Sequence, residues 1–198
     1  LSIDWQQIGP FGAPVDNHSR DGIGRVNIIR VNPANSNELW AGAAGGGVWR
    51  STNGGQTWTN FSYTNFNSQG VSDIAIAPTN PNIVYVSTGD IFGSMSSHTP
   101  NSVGVIKTTN GGQTWDYTNL AYSLSQNSLT GRLLVDPADE NTVLAATFNG
   151  IFKTTNGGDT WLNMQSGRFI DMEFNPGDPN IVYASTRNWG TNQIYKST

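Results

Sequence analysis

Three Gly-Arg dipeptides are the residues of this sequence best suited to bind an anion. Gly24-Arg25, Gly131-Arg132 and Gly167-Arg168 each open a segment rich in apolar residues. Guanidinium groups hold carboxylates through paired hydrogen bonds. If the dipeptides occupy equivalent places in a repeated unit, their side chains converge on one ligand anion. The alternative is that each arginine pairs with a nearby acid, such as Asp73 or Asp171, or with a carbonyl.

Two aspartates, Asp73 and Asp90, are the candidates for acid–base chemistry. Hydrolysis of a glycosidic bond uses two carboxyl groups about 5–10 Å apart, one of them kept protonated. Asp90 lies in the longest polar insertion, residues 89–103, together with Phe92 and His98. Long loops on a rigid scaffold often carry function. The alternative is a solvated loop with one buried phenylalanine.

Neither a metal nor a cofactor is predicted. The two histidines, His18 and His98, lack the spacing of a metal-ligand set, and the sequence contains no cysteine. Three aromatic residues, Phe66, Tyr122 and Trp189, are candidates for stacking on sugar rings, and equally for packing between sheets.

The elements that would position these residues are built around a repeated box, Asn-Gly-Gly-x-Thr-Trp. Asn-Gly between strand-like runs predicts a hairpin, because both residues accept positive φ. The Ser or Thr two residues before the Asn, and the Thr four after it, can bond the turn backbone, and the Trp buries its ring against the sheet. The residues given this structural role are Asn53, Gly55, Thr57, Trp58, Asn110, Gly112, Thr114, Trp115, Asn156, Gly158, Thr160 and Trp161.

A box repeated at near-regular intervals predicts a repeat architecture. Each unit has a first strand, a Pro-containing turn, a second strand, and a third strand that leads into the box. We expect a lead-in strand and loop at residues 1–23, then units at about 24–61, 70–118, 131–164 and 167–198 within one domain, 24–198. The last residues, Ile194–Thr198, match the entry to a box, so we expect a segment of a longer protein.

The pattern S/T-x-N-x-G-x-T-W resembles the Asp-box, or BNR repeat, with asparagine in place of the usual aspartate. This resemblance implies an all-β fold: a β-propeller of four-stranded antiparallel blades, of which about three and a half are present. In that family the box closes the hairpin between the third and fourth strands of each blade. It recurs in sialidases, family 74 xyloglucanases, sortilin-type receptors and a photosystem II assembly factor, so it indicates a fold and leaves the function open.

The resemblance also bears on activity. Family 74 xyloglucanases carry a catalytic Asp in a segment like Ala-Arg-Thr-Asp-x-Gly-Gly, and the matching stretch here, residues 41–47, has Ala44 at that position. Sialidases use an arginine cluster for a sugar carboxylate, which Arg25, Arg132 and Arg168 resemble. Their early Arg-Ile-Pro segment does not occur in this sequence.

The composition limits which classes of partner this protein can bind. The formal charge is −4 with only ten Lys and Arg in 198 residues, so no nucleic-acid surface is predicted. No apolar run is long enough to span a membrane. The segments at Trp5–Pro10 and Gly45–Ser51 resemble those of large secreted bacterial repeat proteins.

Two functions follow as hypotheses. The first is a non-catalytic, secreted or cell-surface scaffold, which binds a glycan or protein through loop residues that include Arg25, Arg132, Arg168, Phe92, His98 and Trp189. The second is a glycoside hydrolase whose remaining catalytic blades lie outside this sequence. An assembly factor that holds a protein partner is a third, less supported idea.

Overall fold

The computed structural model of the protein describes residues 5–9, 25–61, 68, 70–93, 101–188 and 190–197. Within these ranges the chain is almost entirely β, apart from one short 3-10 turn at Leu124–Gln126. The strands are β1 (Val26–Asn32), β2 (Asn35–Ala43), β3 (Gly47–Ser51), β4 (Thr59–Asn60), β5 (Val71–Ile76), β6 (Val84–Thr88), β7 (Gly104–Thr108), β8 (Asp116–Ala121), β9 (Thr130–Asp136), β10 (Asp139–Thr147), β11 (Gly150–Thr154), β12 (Leu162–Gln165), β13 (Phe169–Asn175), β14 (Asp178–Thr186) and β15 (Ile194–Lys196).

The strands form four separate antiparallel sheets, each made of strands consecutive in the chain. Blade 1 has the order β1-β2-β3-β4, blade 2 β5-β6-β7-β8, blade 3 β9-β10-β11-β12 and blade 4 β13-β14-β15. The first strands of successive blades contact each other: β1 with β5, β5 with β9 and β9 with β13. The predicted all-β architecture of a partial propeller is therefore confirmed, with the first strand of each blade innermost.

Each pair of neighbouring blades encloses its own apolar core. Trp40 and Val48 of blade 1 pack against Val71 and Ile74 of blade 2. Between blades 2 and 3, the packed residues are Tyr85, Val105, Leu133 and Val143. Between blades 3 and 4, they are Leu134, Ala146, Phe169 and Met172. Burial of apolar area between sheets, about 25 cal/mol per Å², is the main force that holds the blades together.

The box turns share one hydrogen-bond network. In the second box, the Thr108 hydroxyl donates to Asn110 Oδ1 and accepts from Gly112 N, both at 2.9 Å. Asn110 Oδ1 also accepts from Thr114 N, and Asn110 Nδ2 donates to the Thr114 hydroxyl. The first and third boxes repeat these bonds at 2.9–3.0 Å. One asparagine therefore ties both ends of each turn.

The backbone of the box turns has positive φ at two consecutive residues. Positive φ falls on the two glycines of each box, such as Gly111 at +66° and Gly112 at +92°, and the asparagine does not adopt it. The asparagine side chain is held by its bonds inside the turn, so the left-handed residues are shifted one place along. Gly112 is also required by space, because a Cβ there would lie 2.9 Å from Trp40 Cη2 of blade 1.

Substitution of Asn110 tests whether the box needs an amide. Asn110→Ala removes every bond within the turn that this side chain makes, and we expect a loss of about 1–3 kcal/mol in the free energy of unfolding. Asn110→Asp keeps both acceptor bonds, and the Thr114 hydroxyl turns from acceptor to donor, so we expect a cost below about 1 kcal/mol. Urea unfolding of both variants measures the difference. If Asn110→Asp lowers the free energy of unfolding as much as Asn110→Ala does, this account is wrong.

A basic residue near the end of β3 joins blade 1 to the box of blade 2, and one near the end of β7 joins blade 2 to the box of blade 3. Arg50 stacks on Trp40, with its Cζ 5.2 Å from the ring centroid, and donates to Gly111 O at 2.8 Å. Lys107 lies at the same distance over Tyr85 and donates to Gly157 O at 3.2 Å. Both cations therefore lie between an aromatic ring of their own blade and the first glycine carbonyl of the following box.

The described part of the lead-in, residues 5–9, packs on the first box. Trp58 Nε1 donates to Ile8 O at 3.0 Å, and a Cβ at Gly55 would lie 2.6 Å from Ile8 Cδ1. Ile8 thus covers Gly55, the second glycine of the first box, as Trp40 covers Gly112 in the second box. The other residues of the predicted lead-in lie outside the described ranges. The division into lead-in and domain stays a prediction. No helix in the described ranges is long and apolar enough to cross a membrane.

Candidate functional site

In each of the four blades, the residue that follows the second strand lies beside the residue that precedes the first strand, at the same end of the blade. At this end the same backbone bond recurs in every blade. Its donors are the N–H groups of Ala44, Gly89, Phe148 and Arg187, and its acceptors are, in the same order, the carbonyls of Arg25, Gly70, Leu129 and Arg168. We call these eight residues, together with residues 90–93, the mouth.

Asp90 is held tightly within the mouth. Its two carboxylate oxygens accept from Arg25 Nη2 at 2.7 and 2.8 Å. Oδ1 also accepts from Asn27 Nδ2 and from Gly93 N, both at 3.1 Å. Asp90 is almost fully buried, whereas half of the Arg25 side chain remains exposed. This carboxylate is therefore an anchor between blades 1 and 2, and the accessible group of the pair is the guanidinium.

The segment that follows Asp90 contacts blades 3 and 4. Ile91 is buried, and its Cδ1 would lie 2.7 Å from a Cβ at Gly131 of blade 3. Ile91 O accepts from Arg187 Nη1 of blade 4 at 2.9 Å. Phe92 comes next and exposes 52% of its surface. Asp90 and Ile91 together thus link blade 2 to blades 1, 3 and 4, and Phe92 presents one aromatic ring to solvent.

Arg168 also lies at the mouth, where its guanidinium stacks on Phe148 of blade 3, with Cζ 4.1 Å from the ring centroid. The charged residues described at the mouth are therefore Arg25, Arg168, Arg187 and Asp90. A mouth with three guanidinium groups and one saturated carboxylate favours ligands that accept hydrogen bonds or carry negative charge.

The predicted equivalence of the three Gly-Arg pairs was wrong. Arg25 and Arg168 occupy matching places, but Arg132 lies three residues deeper, level with Ile28, Asp73 and Asp171. In blade 3 the register shifts between Thr130 and Leu133, and the Gly131-Arg132 pair lies within β9 at this irregular position, whereas Arg25 and Arg168 directly precede β1 and β13. Arg132 therefore does not join the mouth cluster.

Arg132 belongs instead to a row of charges that links the inner strands. Arg30 donates to Asp73 Oδ1 at 2.8 Å, and Leu133 N donates to Asp73 Oδ2 at 2.8 Å. Arg132 in turn bonds Met172 O at 3.2 Å and pairs with Glu173 of blade 4. The alternative pairing with an acid is the arrangement found for Arg132, since Asp73 and Asp171 both lie within 4 Å of its Nε.

A substrate would have little access to Asp73, because this residue is buried. Burial raises the pKa of its carboxyl, while the Arg30 guanidinium and the Leu133 N–H act in the opposite direction. A perturbed pKa is a common mark of a catalytic acid. Here Asp73 is 3% exposed and its carboxyl group is bonded to blades 1 and 3, so its geometry is that of a joint between blades.

The remaining candidates divide into two groups. Tyr122 is half-buried and packs against the core between blades 2 and 3, as the packing alternative expected. Phe66, His98 and Trp189, and also His18, lie outside the described residues. Among the residues that are described, no three His, Asp or Glu side chains come together as a metal site would require.

Sequence reasoning missed three residues that the structure brings into use: Arg30, Ile91 and Arg187. Arg187 follows the second strand of blade 4, at the position of Ala44 in blade 1. An alignment of the second strands would have placed it at the mouth. No local pattern marks Arg30 as the partner of a residue forty-three positions away.

No protein-family model matches the chain. The xyloglucanase Xgh74A of Acetivibrio thermocellus is 30% identical over 134 residues, which is 64% of this chain and 16% of that protein. A Paenibacillus xyloglucanase is 28% identical over 137 residues, 65% of this chain and 13% of its own length. The chain therefore spans less than a fifth of the curated relatives that it matches.

Among solved structures, an ancestral GH74 enzyme superposes with a TM-score of 0.69 at 24% identity, over 88% of this chain and 24% of that one. At this identity the likeness concerns the fold. The four sheets are therefore successive blades of a partial β-propeller, in the architecture also found in GH74 enzymes.

Proposed function

We propose that this chain is a binding segment of a secreted or cell-surface bacterial β-propeller, which holds a glycan or protein ligand at the mouth. We further propose that the box turns are Asp-box turns with asparagine in place of aspartate, and that other parts of the same polypeptide complete the ring. Cofactors and nucleic acid have no place in this proposal.

The observation that carries the proposal is the state of the carboxylates at the mouth. Ala44 stands where the resemblance to family 74 xyloglucanases implies a catalytic Asp, and its methyl group cannot transfer a proton. Asp90, the aspartate described at the mouth, is saturated by Arg25, Asn27 and Gly93. Glycosidase chemistry needs two carboxyl groups with access to substrate. Binding without turnover is the function that this arrangement supports.

The exposed groups at the mouth suit a glycan. Phe92 offers an aromatic ring for stacking on a sugar face, and Arg25 offers a half-exposed guanidinium for hydrogen bonds to ring oxygens or an acidic substituent. His98 and Trp189 stay proposed contacts on the same face. Arg132 is withdrawn from the ligand-binding set because its guanidinium is engaged by blade 4.

A glycoside hydrolase is the second candidate, because the curated relatives named above are called xyloglucanases. In that case the catalytic acids are supplied by blades outside this sequence, and the mouth described here provides substrate contacts.

A binding screen on a glycan array that includes xyloglucan oligosaccharides, combined with a reducing-sugar assay, tests the proposal. We expect binding with no release of reducing ends. Phe92→Ala should weaken binding about tenfold, which corresponds to about 1.4 kcal/mol. Tyr117→Ala is the matched control, since Tyr117 is 47% exposed but lies on β8 away from the mouth. Turnover by this chain, or equal effects of the two substitutions, would contradict the proposal.

A further inference from the structure

We propose that the ligand held at the mouth is an acidic glycan, and that Arg25 and Arg187 select it by binding its carboxylates beside the exposed ring of Phe92. An oligouronide, which carries one carboxylate on each sugar, is the class of ligand that fits. This inference rests on the proposed binding function and deepens it. It names the ligand class, and it adds Arg187 to the residues that contact the ligand.

Arg25 and Arg187 hold two consecutive residues of one short segment. Arg25 Nη2, from blade 1, donates to both carboxylate oxygens of Asp90 at 2.7 and 2.8 Å. Arg187 Nη1, from blade 4, donates to the carbonyl of Ile91 at 2.9 Å. The Cα atoms of consecutive residues are about 3.8 Å apart. The two guanidinium groups therefore reach the same segment from two blades, and a ligand that lies over this segment can contact both.

Both guanidinium groups keep N–H donors for a ligand, since each guanidinium has several donors in a fixed geometry. Arg25 uses Nε on Asn27 and Nη2 on Asp90, and its Nη1 has no acceptor among the described residues. Arg187 is exposed, and within the described ranges its side chain makes the Nη1 bond to Ile91 and no other. A carboxylate can therefore accept from the remaining donors while both bonds to the segment stay intact.

The charge of Arg187 is not used by an ion pair in the part of the chain that the structure describes. Four arginines have a carboxylate oxygen within 4 Å of a side-chain nitrogen, namely Arg25, Arg30, Arg50 and Arg132. Among the described residues, no carboxylate lies that close to Arg187. Asp90 balances Arg25, so the charge of Arg187 remains at the mouth of a protein whose formal charge is −4. A local positive charge of this kind attracts an anionic ligand.

The half-exposed ring of Phe92 favours a sugar over an acidic peptide. The backbone on both sides of this ring is fixed, because Ile91 N donates to the Ser72 hydroxyl at 3.0 Å and Gly93 N donates to Asp90 Oδ1 at 3.1 Å. A ring carried by a fixed segment loses less conformational freedom when a ligand binds. A pyranose offers a flat C–H face to an aromatic ring and can carry a carboxylate at its edge. An oligouronide therefore matches both the ring and the guanidinium groups.

Two ligands that differ only in charge test this inference. The affinities of the protein for an oligogalacturonide and for its methyl ester are measured by titration calorimetry at low ionic strength. We expect the acid to bind at least about tenfold more tightly than the ester. This difference should shrink severalfold at an ionic strength of about 1 M, where the screening length falls to about 3 Å. Polyglutamate, which carries carboxylates without sugars, should bind more weakly than the oligogalacturonide.

Two substitutions that each remove one positive charge locate the effect. Arg187→Gln should weaken binding of the acid about tenfold and binding of the ester less than about twofold. Lys196→Gln is the matched control, because Lys196 is exposed on β15 outside the mouth and its loss changes the net charge equally. We expect this control to change both affinities by less than about twofold. If Arg187→Gln does not fold, the comparison of acid and ester on the unmodified protein still decides.

The outcomes separate this inference from the function on which it rests. Equal affinities for the acid and the ester, or equal effects of the two substitutions, would overturn the inference and leave the proposed binding function intact. Polyglutamate that binds as tightly as the oligogalacturonide would show that charge alone is recognised, which also overturns it. Release of reducing ends would instead contradict the proposed function. Failure to bind any glycan of the array would contradict both.

Discussion

Replacement of Trp40 by alanine should cost about 3–5 kcal/mol in the free energy of unfolding. The indole is fully buried between blades 1 and 2, and its ring stacks on Phe61 and meets Trp115 edge-on. Its nitrogen donates to Glu38 Oε1 at 2.8 Å, and Arg50 lies over its face. The substitution therefore leaves a large cavity and also removes one hydrogen bond from the buried Glu38 carboxylate, which keeps Arg50 as its partner.

Urea unfolding measures this loss, with an expected fall in the midpoint of about 1–2 M. Trp5→Ala is the matched control, because Trp5 is 92% exposed, and its removal should change stability by less than about 0.5 kcal/mol. A Trp40→Ala protein within 1 kcal/mol of the parent, roughly the error of such extrapolations, would contradict the view that this interface is a packed core.

Asp73→Ala should be about as damaging, at about 3–5 kcal/mol, because it removes one partner of a buried ion pair. Arg30 would lose its carboxylate, and the N–H groups of Ile74 and Leu133 would lose their acceptor. These groups belong to three blades, so the effect should extend to the joints on both sides of blade 2. Substitution of the exposed Asp116 by alanine provides the control, with a change below about 0.5 kcal/mol.

The double variant Arg30→Met, Asp73→Ala separates the pair from the packing around it. Because Arg30 is then no longer left without its partner, the double variant should cost clearly less than the sum of the two single variants. Strict additivity in urea unfolding would show that the two side chains do not act as a pair. A wild-type stability for Asp73→Ala with altered ligand binding would restore Asp73 as a functional candidate.

The sequence was sufficient to predict the blades because their signals are local. The box, the Pro-containing turn and the apolar runs lie within a few residues of one another, and each acts through short-range bonds. Asn110, for example, ties Thr108 to Thr114 within a single turn. The architecture follows once such turns are seen to repeat.

The mouth was harder to predict because it depends on register. The pairing of each inner strand shifts register by one residue near its start, and this shift decides which side chain faces the neighbouring blade. Gly131-Arg132 therefore resembles Gly24-Arg25 in sequence but not in position. The same limit applies to Asp90, whose partner Arg25 is sixty-five residues earlier. Contacts between blades are therefore the part of the site that a local pattern cannot give.

The cations at the ends of β3 and β7 reach only forward along the chain: Arg50 to the box of blade 2, and Lys107 to the box of blade 3. Synthesis on the ribosome proceeds in the same direction, so each cation and its aromatic platform leave the exit tunnel before the turn that they will hold. Each new turn can therefore bind to a cation and an aromatic ring that have already been synthesised. The blades can then assemble in order from the N-terminus, before the ring is closed.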